Sequence, residues 1–398
     1  MSKRRYLLGL PPTPWVTAGL PLVTMVVTMV LAYGIGAKLV AEAKTKPECV
    51  ISRPQGIMGT DCILRAVGPQ GQRPRTEAAL AAAEQALRTI EAHMSTYIRF
   101  SELSRLNDAP AGKAMTLSPD TMAVLRLSRQ LNEQTGGAFD VTCLPLFKLW
   151  GEAGKANSLP TNAILSAAKA KCGWDKWKLL DAGAVKSVDG AGMGLGGVAK
   201  GWGIDRAAEA MIAAGCTGGL VEVGGDIRCF GSPAHKGKWV VAVRNPFNSG
   251  AGEFFGTLAL GDAAVCTSGN YQRFSVINGR HYSHIIDPRS GEPVDFAPSV
   301  TVVAPNAATA DGWATALSVL GPGGFKLLDA NSGIEAMIVI GGPKDYRIHE
   351  TPGFARLLDK PIPRSGKEAT APTSLGGDAG DAGEEETDQP QINADQRR

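Results

Sequence analysis

Net charge of either sign is scarce in this 398-residue chain, where 41 lysines and arginines stand against 38 aspartates and glutamates and leave +3. No stretch interleaves basic with aromatic residues as a nucleic-acid groove requires, so nucleic acid is excluded as a partner. Cysteine is sparse and unpatterned: Cys49, Cys62, Cys143, Cys172, Cys216, Cys229 and Cys266 form no CxxC pair and no metal-ligand spacing. Neither a zinc module nor a disulfide scaffold follows from them, and burial as small apolar side chains is the expectation for each. Missing as well is the GxxxxGKS/T loop, a common phosphate-cradling signature. Histidine occurs five times, so few residues could act as a general base near neutral pH.

What is present in quantity is apolar surface and glycine. Hydrophobic residues make up 44% of the chain and glycines number 49, enough for a large core with many tight turns or close backbone approaches. At the N-terminus, Lys3, Arg4 and Arg5 precede Tyr6 to Ala37, a stretch without a charged residue and long enough to span a bilayer. Pro11, Pro12, Pro14 and Pro21 make its first part a poor helix, which places the span between Trp15 and Lys38. An uncleaved anchor is the expectation. A cleaved export signal is the alternative, since the small residues from Gly34 to Ala37 suit a cleavage site. The chain then reads as an anchor over 1–38, a linker over 39–54, a globular unit over 55–363, and an acidic tail over 364–398 too poor in large apolar residues to fold.

Leu80, Ala83, Leu87, Ile90 and Met94 recur at helical spacing and predict an amphipathic helix over 77–94. Ser118-Pro119-Asp120 supplies an N-cap with proline in the first turn, and Gly136-Gly137 closes that helix. Further helices are expected over 161–171 and 200–215, and strand-like runs fall at 57–67, 220–227, 239–246 and 299–305. A long helix from Asn306 to Leu320 precedes a last helix and strand within 324–342.

Three groups of residues could carry chemistry. On the long helix, Asp311 and Thr315 are four residues apart and so share a face, with Ser318 continuing the stripe. That stripe is either a solvated helix face or a pair of hard oxygen ligands of the kind Mg²⁺ takes beside water and substrate phosphate. LGGVAKGWGID (195–205) puts glycines and Lys200 at a helix start, where free N–H groups attract anions; it is either a phosphate dock or a tight entry turn. VEVGGDI (221–227), ending in a Gly-Gly pair beside Asp226, reads equally as a turn. The third group, HYSHIIDPRSGEPV (281–294), holds His281 and His284. His284 could project from a strand end into a cleft as a general base, or be structural.

Taken in chain order, IMGTD, MSTYIRFSELSRLN, GGAFDVTCLPLFKLWG, LGGVAKGWGID, VEVGGDI, TSGNYQR, YSHIIDPRSGEPV and ADGWATAL resemble the family of FAD:protein FMN transferases, the ApbE-like proteins, over residues 55 to 345. The resemblance implies a single two-lobed α+β catalytic unit of mixed or antiparallel sheets packed with helices. It implies Mg²⁺ as cofactor and FAD as substrate. The FMN half would pass through a phosphoester to a threonine or serine of an acceptor protein, a subunit of a membrane redox complex, with AMP released. Location at a bacterial inner membrane, with the catalytic unit in the periplasm, is implied too. Hydrolysis of FAD to FMN and AMP, or non-catalytic FAD carriage at the membrane, would use the same pocket.

Matched residue by residue, Met58 and Tyr97 stand where the family contacts flavin or adenine, and Ala138, Phe139 and Asp140 match its AFD contact with FAD. Lys200 and Ile286 align with further FAD-pocket positions. The resemblance gives Gly197 a metal-binding carbonyl and makes Asp311 and Thr315 side-chain ligands, in line with the stripe read from helical spacing. His284 takes the place of the catalytic base. The chain departs from the pattern at Gly194, where an aspartate is common, and at Cys143-Leu144, where smaller residues are usual. One FAD hydrogen bond fewer and a reshaped pocket are therefore expected.

Overall fold

A computed structural model describes residues 47–234, 237–247, 254–269, 274–294, 297–328 and 332–363. Strands β1 (Pro47–Ser52) and β2 (Cys62–Pro69) lead into helices α1 (Arg73–Met94) and α2 (Glu102–Asp108). After β3 (Met115–Thr116) come helices α3 (Pro119–Gln134), α4 (Leu144–Ala156) and α5 (Asn162–Lys169), then β4 (Trp177–Leu180), β5 (Gly183–Lys186) and helix α6 (Ala199–Ala213). The second half holds β6 (Gly218–Val223), β7 (Asp226–Gly231), β8 (Trp239–Arg244), β9 (Phe254–Leu260), β10 (Ala263–Gly269), β11 (Phe274–Ile277), β12 (Arg280–Ser283) and β13 (Ser299–Ala304). Helix α7 (Ala307–Leu320) and strands β14 (Glu335–Ile340), β15 (Arg347–Glu350) and β16 (Leu358–Lys360) follow.

Eight strands form one antiparallel sheet in the order β1-β2-β6-β7-β10-β13-β14-β15. Side chains alternate between its faces with the period of two that strands impose. Val221, Val223, Val300, Val302, Ala336 and Ile338 pack with α1, α6 and α7, whereas Leu220, Val303, Met337 and Val339 face the smaller sheet β16-β9-β8. This is an α+β fold of antiparallel sheets and helices. Helix α1 buries Leu80, Ala83, Leu87, Ile90 and Met94, the residues its spacing singles out. Truncating the enclosed Leu87 to alanine would cost about 2–5 kcal/mol.

Several elements differ from the sequence expectation, each for a local reason. The run 57–67 becomes a strand only at Cys62, because residues 57–60 form a tight turn with Met58 at φ 51°. Left-handed backbone at a residue with a side chain stores about 1–3 kcal/mol, and Met58 N–H is held there by Glu91 Oε1 at 2.9 Å. The run 220–227 is a hairpin and not one strand: Gly224 and Gly225 take φ of 61° and 93° and reverse the chain between β6 and β7. Strand β1 lies within the stretch read as linker. The anchor at 1–38, the linker as far as 46 and the tail 364–398 lie outside the described residues. Among the described residues no helix is long and apolar enough to cross a membrane.

Candidate active site

The site grows from a close crossing of two helix starts. A Cβ on Gly201 would lie 2.3 Å from the Ala307 carbonyl oxygen, so only glycine lets the start of α6 rest on that of α7. Across this seam the Gly201 N–H donates to Asp311 Oδ2 at 3.0 Å. One turn further along α6, the Asp205 carboxylate accepts from the N–H groups of Ala307 and Ala308 at 2.8 and 2.9 Å. It thereby satisfies donors that a helix start leaves open, beside Asn306, whose side chain accepts from Thr309 N–H. Arg228 of β7 pairs with Asp205 at 2.8 Å. The sequence motif contains Asp205, but nothing in helical spacing shows that it caps another helix.

The polar stripe of α7 is not a solvated face. Asp311 is 5% exposed and Thr315 is half-buried. A Cβ on Gly197 would stand 2.8 Å from Thr315 Oγ1 and 3.3 Å from the Phe139 ring, so Gly197, Thr315 and Phe139 meet. Beside them Lys200 pairs with Asp226 Oδ2, while Asp226 Oδ1 accepts the Thr267 N–H at 2.9 Å. Burial pushes the Asp311 carboxyl up to about 7; Lys200 and the Gly201 N–H act against that rise, and Asp226 and Asp205 add to it. For Lys200 burial opposes the charge, yet Asp226 and Asp311 outweigh it and raise the ammonium above its usual range. Among the described residues, Lys200 and Arg228 stand against Asp205, Asp226 and Asp311 in this cluster, one carboxylate more than the cations. A hard divalent cation fits such a place: the Asp311 carboxylate, Thr315 hydroxyl and Gly197 carbonyl are all oxygen donors, and the local charge calls for one more cation.

The expected FAD-contacting residues fall into different settings. Ala138 and Phe139 are buried; Phe139 N–H donates to Thr135 Oγ1 at 3.0 Å and its carbonyl accepts from Asn132 Nδ2 at 2.8 Å. Next to them Asp140 Oδ1 accepts the Thr142 N–H at 2.8 Å and its hydroxyl at 2.7 Å, and burial raises its carboxyl despite both bonds. The start of α6 is not an open anion dock. Ala199 and Trp202 N–H groups donate to Leu195 and Val198 carbonyls at 2.8 and 3.0 Å, and Gly201 N–H to Asp311, so three of its first four N–H groups are already engaged. Ile286 is 4% exposed and packs with Cys143, Leu146 and Trp150, which restricts any ligand contact to its backbone. Met58 lies against α6, its methyl 2.6 Å from where a Gly203 Cβ would be. Tyr97 stands apart, 95% exposed on the loop between α1 and α2.

His284 follows β12 on an exposed turn. Its neighbour Ile285 packs with Ala138 and with Val319, one turn beyond Thr315 on α7, so His284 stands at a rim shared by the AFD segment and the α7 stripe. Ser283 Oγ accepts the Ile285 N–H at 3.0 Å, and Trp150 of α4 donates to the Gly291 carbonyl at 2.9 Å, which fixes the turn after it. Helix α4 thus has a positioning part that the sequence motifs do not reveal. Asp287 is a poorer base: burial raises its carboxyl, but hydrogen bonds from Arg289 Nε and Nη2, both 2.9 Å, outweigh that and lower it.

The model of the ApbE family matches residues 58–338, a span that contains every one of these segments. The chain belongs to the ApbE family. It is 32% identical over 281 residues to the FAD:protein FMN transferase of Vibrio cholerae, covering 70% of this chain and 84% of that one. With the FAD:protein FMN transferase of Haemophilus influenzae it shares 29% over 346 residues, 85% of this chain and 98% of that one. Its fold resembles the crystal structure of apo Pseudomonas stutzeri flavinyl transferase ApbE, with a TM-score of 0.69 and 29% identity over 80% of this chain and 98% of that one. The flavin transferase ApbE of Vibrio cholerae gives a TM-score of 0.68 at 29% identity, over 78% of this chain and 100% of that one. The two departures from the ApbE pattern meet in space: Leu144 side-chain carbons lie 3.4 Å from where a Gly194 Cβ would stand and 3.1 Å from one on Gly192.

Proposed function

We propose that this ApbE-family protein is a Mg²⁺-dependent FAD:protein FMN transferase that moves FMN from FAD onto a threonine or serine hydroxyl of an acceptor protein and releases AMP. The observation that carries the reading is the α6–α7 seam, where Asp311, Thr315 and Gly197 offer oxygen donors beside Lys200 in a cluster short of one positive charge. Bound there, Mg²⁺ supplies charge neutralisation for a pyrophosphate. Lys200 adds a fixed positive charge toward the phosphates, and Asp140 with the 138–139 backbone orients FAD. An imidazole nitrogen of His284 accepts the proton of the acceptor hydroxyl as its oxygen bonds to the FMN-side phosphorus and the bond to the AMP oxygen breaks. Most of the rate comes from positioning and electrostatics, and the exposed setting of His284 admits a polypeptide loop.

Incubation with FAD, Mg²⁺ and a candidate acceptor tests this reading. Covalent flavin on the acceptor is the expected result; free FMN without labelled acceptor would indicate hydrolysis, and unchanged FAD a carrier. A second expectation follows from Asp311, whose carboxyl is raised to about 7 from 3.8. A raised acid favours the protonated folded state, so its contribution to stability is complete below about pH 4 and is lost as pH rises through about 7. Without divalent metal, Tm should fall across that window, and the Tm gain from added Mg²⁺ should grow from pH 5.5 to pH 8. An equal gain at both pH values would detach Asp311 from the metal.

The same reading puts the catalytic unit on the periplasmic side of a bacterial inner membrane, anchored by residues 1–38 with Lys3, Arg4 and Arg5 inside. The uncharged run from Tyr6 to Ala37 supports it. Protease added to sealed spheroplasts should trim the chain; complete protection would place the unit in the cytoplasm.

A further inference from the structure

Between β5 and α6 the chain crosses residues 191–197, where among the described residues it has no strand partner beyond an isolated bridge from Gly192 to Cys143. Its backbone groups nevertheless find partners. Asn107, in the last turn of α2, donates from Nδ2 to the Met193 carbonyl and accepts the Met193 N–H on Oδ1, both at 2.8 Å. That pair of bonds is the one a neighbouring strand would make, supplied by a single side chain 86 residues away. Gly194 N–H then donates to the Val141 carbonyl at 2.8 Å, which ties the segment to the turn that follows Asp140. The amide itself is anchored. Lys186 is 3% exposed, and its ammonium donates to the Asn107 carbonyl and, at 3.1 Å, to the Ala191 carbonyl.

Burying a lysine is costly, and among the described residues its bonds go to two backbone oxygens, one in the last turn of α2 and one at the start of the arm. Downstream, Leu195 O accepts from Val198 and Ala199 N–H as α6 begins, so only Gly196, Gly197 and the N-cap Val198 separate the fixed stretch from the helix. We propose that Asn107, held by Lys186, is a positioning residue that sets the Gly197 carbonyl against Thr315 and Asp311 for the cation. The inference rests on the metal reading of the α6–α7 seam. It adds two residues that touch neither metal nor FAD and act through the 191–197 arm.

The test uses the full-length protein and Mn²⁺ in place of Mg²⁺, with free Mn²⁺ counted by its paramagnetic resonance signal. Asn107→Asp keeps the side chain's shape and its acceptor but puts a carboxylate oxygen against the Met193 carbonyl. Its Kd for Mn²⁺ should rise by about tenfold or more, the range found when groups behind metal ligands are changed, with one site per chain retained. Lys186→Met should shift Kd in the same direction. Poorer folding would instead lower the number of sites at an unchanged Kd, and that pattern in both variants overturns the proposal. Wild-type affinity in Asn107→Asp also overturns it. Wild-type protein that binds no Mn²⁺ removes the metal site itself, and the inference with it.

Discussion

His284→Ala is expected to slow flavin transfer by about 10²–10⁴-fold at saturating FAD, the usual loss when a general base is removed, while FAD still binds. His284 is exposed just after β12, and the apolar packing of this stretch runs through Ile285, Ala138 and Val319. Truncation therefore leaves the apolar contacts in place. Loss of a simple ligand contact would show as weaker FAD binding with a normal rate at saturation. The two are separated by titrating FAD fluorescence and then following flavin attachment to an acceptor. Normal transfer at saturation would remove His284 as the base. Asp287, already engaged by Arg289, is a weak replacement, which leaves His281.

Asp311→Asn should abolish Mg²⁺-dependent turnover with the fold retained. The amide keeps an oxygen for the Gly201 N–H, bonded to Asp311 at 3.0 Å, and removes the charge that a cation needs. Alanine is the less clean choice, because it would leave that buried N–H unpaired at about 1–3 kcal/mol. Since burial holds the carboxyl at about 7, the uncharged variant should also melt at or above the wild-type Tm at pH 8 without metal. Turnover with a normal Mg²⁺ requirement would take Asp311 out of the metal site. Thr315→Val should weaken the Mg²⁺ response in the same direction and less severely.

Local pattern makes much of the fold legible in the sequence. Helix α1 follows from five apolar residues at helical spacing, all buried, and α3 from a serine cap whose side chain accepts the Thr121 N–H. Asp311 and Thr315 were recognisable because a helix puts residues four apart on one face. Spacing could not say that this face turns inward, since that depends on Gly201 and Gly197, more than a hundred positions earlier in the chain. The same limit hid Asp205, which caps a helix 102 residues on, and Asn107, which stands in for a strand partner. The motif match also could not show that Ile286 contributes its side chain to the core and not to a pocket.

In the main sheet β2 lies against β6, and β10 against β13, so neighbours in space are made far apart in time. As the chain leaves the ribosome, Asp140 and Gly197 emerge well before α7 brings Asp311 and Thr315. Until then Gly201 has no carboxylate opposite it and Asp205 no helix to cap, so the proposed cation site is not yet assembled. On the proposed function, loading therefore waits for α7. A protein threaded unfolded through a membrane would arrive empty, and it would draw its FAD from the pool on the far side.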